Sequence, residues 1–123
     1  MSESVTITMG LPPKALHPNA RPHHHEKARA TKAYRRAAYL RTVAAGVESG
    51  PWERATVSAT FYHRVSRRRD DVNFLAAMKP AYDGLVDAGL LEDDDSEHLT
   101  TLPASFQIDT ETPRVELRIE RTE

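Results

Sequence analysis

The chain has 123 residues and a mass of 13.8 kDa, with 39% apolar and 28% charged residues, so it can build one modest hydrophobic core and hardly two. It contains no cysteine and no apolar run near the roughly 18 residues of a transmembrane helix, which excludes disulfides, thiolate chemistry and a membrane span. The net charge of −1 conceals an uneven distribution: residues 1–69 carry 13 basic and 4 acidic side chains, whereas residues 70–123 carry 4 basic and 14 acidic ones.

The N-terminal half of the chain predicts a strand, an irregular segment and a long helix. Residues 4–11 alternate between apolar and polar side chains, which is typical of a half-buried strand, and Pro12-Pro13 ends it. Residues 14–26 are rich in proline, histidine and basic side chains, and we interpret them as an ordered loop or arm. Residues 27–45 combine strong helix formers with apolar residues at helical spacing, which predicts an amphipathic helix ending near Gly46.

The next segments predict a second strand and a second helix. Residues 56–65 alternate again and predict a strand. Residues 71–88 predict a helix that ends at Gly89. Because Pro80 cannot donate a hydrogen bond to the carbonyl of Ala76, it should kink or split this helix.

Two further strands are predicted near the C-terminus. One covers residues 98–108 and is interrupted at Pro103; the other covers residues 113–120, with Thr110 and Glu111 in a hairpin turn between them. The resulting order is βαβαββ. We therefore expect a single domain of the α/β class, α+β type, with a small mixed sheet flanked by two helices.

The basic half of the chain predicts a polyanionic partner such as nucleic acid. The alternative is an interaction module whose oppositely charged faces pair with each other, within the chain or between subunits. The N-terminus lacks the basic and apolar regions of a signal peptide, so a cytoplasmic location is expected and no membrane partner is.

Two groups of carboxylates flank the second predicted helix. Asp70 and Asp71 precede it, and the acidic run of residues 92–95 follows it. Mg²⁺ prefers carboxylate oxygens, and phosphodiester hydrolysis needs such a cation, with a lysine such as Lys79 stabilising charge on the phosphate. A kink at Pro80 would let both groups meet on one cation. The ordinary structural alternative is a solvated acidic loop and a surface ion pair between Lys79 and Asp83.

The order and spacing of the charged residues in segment 67–95 indicate a function more specifically than any one of these residues does. The segment contains three arginines, then Asp70-Asp71-Val72-Asn73, then Lys79 followed by Asp83-Gly84-Leu85, then Gly89 and finally Asp93-Asp94. It resembles the RusA-type Holliday-junction resolvases, small endonucleases of bacteria and their phages. Leu11-Pro12-Pro13-Lys14, Asn19, Arg21 and the basic helix with Tyr34-Arg35 extend the resemblance more weakly over residues 5–118.

The resemblance implies a homodimeric, Mg²⁺-dependent endonuclease that nicks four-way DNA junctions symmetrically, with Mn²⁺ as a possible substitute. It implies Asp70, Lys79 and Asp94 as catalytic residues. It also implies Asp70 and Asp94 as metal ligands, together with the adjacent Asp93. Two subunits suit this reaction, because symmetric cuts require two sites related by a two-fold axis.

Val72 departs from the family pattern, which has a metal-binding aspartate at that position. Asp71 is adjacent and could replace the missing ligand if the backbone leaves the strand pleat there. Otherwise the chain would bind junctions and cleave them poorly. Both alternatives stay open at the level of sequence.

Basic and amide side chains are the predicted DNA contacts, mostly to phosphate. They are Lys14, Asn19, Arg21, Arg35, Arg36, Arg67, Arg68, Arg69 and Asn73. His23, His24 and His25 suggest either an arm that contacts phosphates or a plain exposed loop, rather than a metal site. The five glycines are scattered, which argues against a phosphate-binding loop and a nucleotide cofactor.

Overall fold

A mixed five-stranded β-sheet forms the centre of the molecule in a computed structural model, which describes residues 3–122. In chain order the elements are β1 (Ser4–Met9), a 3₁₀ turn (Lys14–Leu16), α1 (His24–Ala45), β2 (Ala55–His63), α2 (Asp71–Ala77), α3 (Lys79–Asp87), β3 (Leu99–Thr101), β4 (Ser105–Ile108) and β5 (Arg114–Arg121). The predicted α+β class with a small mixed sheet is confirmed.

Strand β2 lies inside the sheet. Antiparallel β5 pairs with one of its edges, and β1 pairs with the far edge of β5. The other edge of β2 pairs in parallel with β3 near its start and with β4 near its end. The expected interruption at Pro103 is therefore confirmed, since it separates β3 from β4.

The predicted hairpin between the last two strands is wrong, because β2 separates β4 from β5. The turn at residues 109–113 instead carries the chain past the end of β2, where the N–H of Asp109 donates to the carbonyl of His63 at 2.8 Å. Alternating side chains mark a strand, but the partner of that strand is decided by contacts elsewhere in the chain.

One hydrophobic cluster joins the sheet to the helices. Alternate residues of β2 and β5 are fully buried, among them Val57, Phe61, Leu117 and Ile119. Met78 and Leu85, from the α2–α3 segment, belong to the same cluster, as do Tyr34 and Ala38 of α1. The period of two in the strands thus sets which face meets the helices.

Helix α1 begins at His24, three residues before the predicted start at position 27. His23 explains the difference, because its Nδ1 atom accepts a hydrogen bond from the backbone N–H of His25 at 3.2 Å and so caps the helix. The last residues of the predicted arm are consequently helical. The helix ends at Gly46, whose φ of 70° is the left-handed conformation that favours glycine.

The second predicted helix is split, as Pro80 led us to expect. Helix α2 ends at Ala77, Met78 forms the junction, and α3 begins at Lys79 with Pro80 in its first turn. Gly89 follows α3 with a φ of 81°. None of the helices in residues 3–122 has both the length and the hydropathy that crossing a membrane would take.

Candidate nucleic-acid cleft and catalytic residues

A cleft of about 440 Å³ opens where the arm, the end of β2 and the start of α2 meet. The arm contributes His17 and Asn19, β2 contributes His63, and the first turn of α2 contributes Asn73 and Phe74. The connecting loop adds Asp70 and the arginine run, which we define as residues 67–69. We call this cavity the arginine cleft.

Asp70 connects the arginine run to helix α2. Its Oδ1 atom accepts hydrogen bonds from the backbone N–H groups of Val72 at 3.0 Å and Asn73 at 3.3 Å, which makes Asp70 the N-cap of α2. Its Oδ2 atom makes no hydrogen bond within residues 3–122. One oxygen of Asp70 therefore serves the fold while the other can face a ligand.

The arginine run holds a concentrated positive charge. The guanidinium of Arg69 donates to the carbonyls of Arg67 and Val65, which curls the loop back on itself. The guanidinium groups of Arg67 and Arg68 make no ion pair within the described part of the chain. Charge that no carboxylate neutralises attracts an anion such as phosphate.

Two imidazoles and one phenyl ring form the aromatic part of the cleft. Phe74 makes edge-on contacts with His17 at 4.7 Å and His63 at 5.4 Å between ring centroids. Burial lowers the pKa of both imidazoles, and the nearby charges of Arg69 and Arg67 lower the pKa of His63 further. Both rings therefore favour the neutral form, and the Nδ1 atom of His63 is buried without a hydrogen-bond partner in the described residues.

Lys79 and Asp94, both implied as catalytic by the resemblance, are in direct contact. The Nζ atom of Lys79 lies 2.5 Å from Oδ2 of Asp94 and 2.9 Å from Oδ1 of Asp83. The hydrogen bond to Asp94 raises the pKa of Lys79 by more than its partial burial lowers it, and Asp83 adds to the rise. Lys79 is therefore a protonated ammonium, and the ion pair with Asp83 that the structural alternative predicts is present.

The remaining carboxylates of the predicted site have local partners. Oδ1 of Asp71 accepts a hydrogen bond from the N–H of Ala104 at 2.8 Å, and Oδ1 of Asp93 accepts one from the N–H of Asp94 at 2.7 Å. Val72 is 71% exposed, and its apolar side chain has no atom that could bind a metal at this position.

The expected meeting of the two acidic groups on one cation is not found in residues 3–122 of a single chain. Within that range, three candidate ligand atoms lie within 4.8 Å of one another in two groups, Asp93-Asp95-His98 and His23-His24-His25. Neither group contains Asp70 or Asp94. Helix α2, seven residues or about 10 Å long, lies between Asp70 and Lys79, the partner of Asp94.

The carboxylates present fit Mg²⁺ in only one way. Mg²⁺ usually keeps several waters and takes one or two carboxylates together with oxygens of a substrate phosphate. The Oδ2 atom of Asp70, beside the arginine run, could supply one such carboxylate where a phosphate would bind. Within residues 3–122, neither group of three ligand atoms includes Asp70, Asp71 or Asp94, so metal binding by Asp70, Asp71, Asp93 and Asp94 stays a prediction.

The three histidines lie closer together than their interpretation as an arm or exposed loop requires. His23, His24 and His25 each place one ring nitrogen within 4.8 Å of the others. They do so because His23 lies outside α1 while the other two begin it. Since Nδ1 of His23 accepts the capping hydrogen bond, a metal on this ring would compete with the cap.

The predicted DNA contacts are distributed over three places. Asn19, Asn73 and the arginine run line the arginine cleft. Lys14 and Arg21 line a second cleft of about 260 Å³, which is formed by residues of the arm and the start of α1. Arg36 is exposed on α1.

Arg35 differs from the other predicted contacts because Asp87 already neutralises it. Two hydrogen bonds, of 2.6 and 2.7 Å, join its guanidinium to that carboxylate, and they raise the pKa of Arg35. Its contribution to phosphate binding is therefore smaller than its charge alone suggests.

Sequence reasoning missed His17 and Phe74 as residues of the site. His17 lies in a segment without periodicity, and Phe74 is an apolar residue of the helix predicted over residues 71–88, where a buried position is the ordinary interpretation. A usable signal was present for Phe74: it lies four residues after Asp70, which places the two one helical turn apart at the start of α2.

No protein-family model matches the chain, and no curated protein matches it in sequence. The resemblance to RusA-type resolvases consequently rests on the motifs of residues 67–95 and stays a prediction.

Proposed function

We propose that the protein is a Mg²⁺-dependent endonuclease that binds and nicks four-way DNA junctions as a homodimer in the cytoplasm. The observation that carries the proposal is the arginine cleft, in which Arg67 and Arg68, which make no ion pair within residues 3–122, lie beside the carboxylate of Asp70. Positive charge for a phosphate and an oxygen ligand for a cation occur together there.

Binding to DNA would depend on phosphate contacts from the arginine run and from Lys14 and Arg21 of the arm. These contacts release counterions, so affinity should fall steeply as salt rises. They also carry little sequence information, which suits an enzyme that recognises the shape of a branch.

Hydrolysis forms one P–O bond from a water oxygen and breaks one ester P–O bond, leaving a phosphate monoester and a free hydroxyl. A Mg²⁺ ion, when bound, lowers the pKa of the attacking water and neutralises charge on the phosphate. Asp70 would hold the cation through Oδ2 while Oδ1 keeps the α2 cap. Lys79, kept protonated by Asp94, lies the length of α2 from Asp70 and is paired with two carboxylates, so it would add its charge to DNA that extends beyond the cleft.

A second function, junction binding without efficient cleavage, is favoured by the distribution of the carboxylates. Oδ1 of Asp71 accepts a hydrogen bond from the N–H of Ala104, and position 72 carries an exposed valine. A chain that offers only Asp70 at this place would hold Mg²⁺ weakly.

A nicking assay on a synthetic four-way junction with Mg²⁺, beside a gel-shift assay in EDTA, separates the two functions. Nicking supports the enzyme, whereas binding without nicking supports the second function. Equal affinity for branched and linear DNA at low salt would favour the interaction module instead. Light scattering during size-exclusion chromatography tests the homodimer.

Substitutions test the assignment of the site. Asp70→Asn and Asp94→Asn should each abolish nicking while binding stays the same or strengthens, because removing a carboxylate removes its repulsion of phosphate. Asparagine caps helices as well as aspartate does, so Asp70→Asn should leave the fold intact. Glu111→Gln, a charge change at an exposed turn, is the matched control. Nicking by both aspartate variants at the wild-type rate would refute the site.

A further inference from the structure

The arginine cleft contains more than a phosphate site requires. Phosphate recognition needs only the arginine run, yet the same cavity presents a phenyl ring, two imidazoles and two amides. Aromatic rings offer a nucleobase a stacking surface, and amides can pair with its polar edge. The arginines suit the phosphate of a nucleotide, the rings suit the face of its base, and the amides suit the polar edge of that base.

The aromatic surface is held in place before any ligand arrives. Behind Phe74 lie Phe61 and Phe106, with ring centroids 5.0 and 5.3 Å away, and Phe61 is completely buried. His17 contacts Phe74 edge-on from the arm. A ring fixed by such packing loses little conformational entropy when a base stacks on it.

The amides and arginines of the cleft have no competing partners. Within residues 3–122, the side-chain amides of Asn19 and Asn73 make no hydrogen bond, and Arg67 and Arg68 make no ion pair. Their hydrogen-bonding capacity is therefore left for a ligand or for water.

The size of the cavity indicates which form of DNA can enter. About 440 Å³ falls in the range of pockets that enclose one small organic molecule. A paired base in a duplex is stacked on both faces, so it cannot reach such a cavity without leaving the helix. An unpaired base can enter at a much lower cost.

We propose that the arginine cleft binds one unpaired nucleotide of DNA, with its phosphate at Arg67 and Arg68 and its base against Phe74 and His17. Asn19 and Asn73 face the edge of the base. The inference rests on the proposed binding of DNA and is independent of cleavage. It explains recognition of a branch point, where bases lose their stacking partners.

The test compares three labelled oligonucleotides by fluorescence anisotropy in EDTA at one salt concentration. The first is a perfect duplex, the second carries a single-nucleotide bulge, and the third carries the same bulge as an abasic site. The base-bearing bulge should bind about 5- to 50-fold more tightly than the abasic bulge. Equal affinity for the two bulges overturns the inference while leaving the proposed function intact; failure to bind any DNA refutes the proposed function.

Two variants identify the groups responsible. His17→Ala should reduce the preference for the base-bearing bulge at least threefold, with little change for the abasic one. Arg68→Ala should weaken the binding of both bulged oligonucleotides by the same factor, because it removes a phosphate contact. Phe74→Leu keeps most of the packing volume but removes the aromatic ring, so it should reduce the preference for the base-bearing bulge as His17→Ala does. A preference unchanged in both His17→Ala and Phe74→Leu would refute stacking in this cleft.

Discussion

Gly84 allows the closest approach between helices α1 and α3, and replacing it by alanine tests how the two are packed. A Cβ atom at this position would lie 2.8 Å from the Cβ of Ala38 and 3.0 Å from the backbone nitrogen of Tyr39, and closer still to the backbone carbonyl oxygen of Arg35. Ordinary contacts begin near 3.4 Å, so relieving the contact with Ala38 alone would separate the helices by about 0.6 Å, and the closer oxygen of Arg35 requires more.

Two opposing effects set the size of the change in stability. Overpacking of this kind costs about 1–3 kcal/mol, and backbone atoms of α1 cannot move aside alone. Alanine recovers up to about 1 kcal/mol because it is a better helix former than glycine. Because the closest atom is the backbone carbonyl oxygen of Arg35, the upper part of the overpacking cost applies, and Gly84→Ala should lose about 1–2 kcal/mol of unfolding free energy, or about 4–10 °C in Tm.

Urea unfolding followed by circular dichroism measures this loss. Gly10→Ala is the matched control, because a Cβ there meets nothing within 4 Å. The control should change the unfolding free energy by less than about 1 kcal/mol, with stabilisation as the expected direction. If Gly84→Ala proves as stable as the wild type, helices α1 and α3 do not approach each other as closely as described.

Three further predictions concern the site and the turn at residues 109–113. Asp70→Ala should cost about 0.5–2 kcal/mol in urea unfolding while Asp70→Asn costs almost nothing, and equal losses would contradict the cap. Val72→Asp should leave stability unchanged, since the side chain is 71% exposed, and should raise Mg²⁺-dependent nicking; an unchanged rate would show that a missing ligand does not limit cleavage. Arg114 and two backbone N–H groups lower the pKa of Asp109 to about 2, so its stabilising contribution is complete above its ordinary value near 3.8 and is lost as the pH falls towards 2. Asp109→Asn should therefore be less stable than the wild type at pH 6 and lose less stability between pH 4 and pH 2; identical slopes would refute this reading.

The strands and their inward faces were predictable because they depend on near neighbours in sequence. Val57 and Phe61 alternate with polar residues in β2, and Leu117 does so in β5; all three are fully buried. The split before Pro80 was predictable for the same reason, since a missing N–H acts on the turn that contains it.

Only part of the candidate site followed from the motif. The motif names Lys79 and Asp94 together, and the structure brings their side chains into contact, while their catalytic roles stay predictions. The sequence could not show that Asp70 caps α2 or that Asp71 pairs with the N–H of Ala104. A carboxylate in a metal-binding pattern can equally satisfy a backbone donor, and the choice depends on which donors the fold brings near.

By itself, the sequence determined the strands, the division into basic and acidic halves and the residues with the right chemistry. Only the tertiary structure decided which of them share a cavity: it places His17 against Phe74 and neutralises Arg35 with Asp87, 52 residues away. The physical reason is that propensity and alternation act over a few residues. The meeting of distant segments depends instead on how the whole core packs, and no local pattern encodes it.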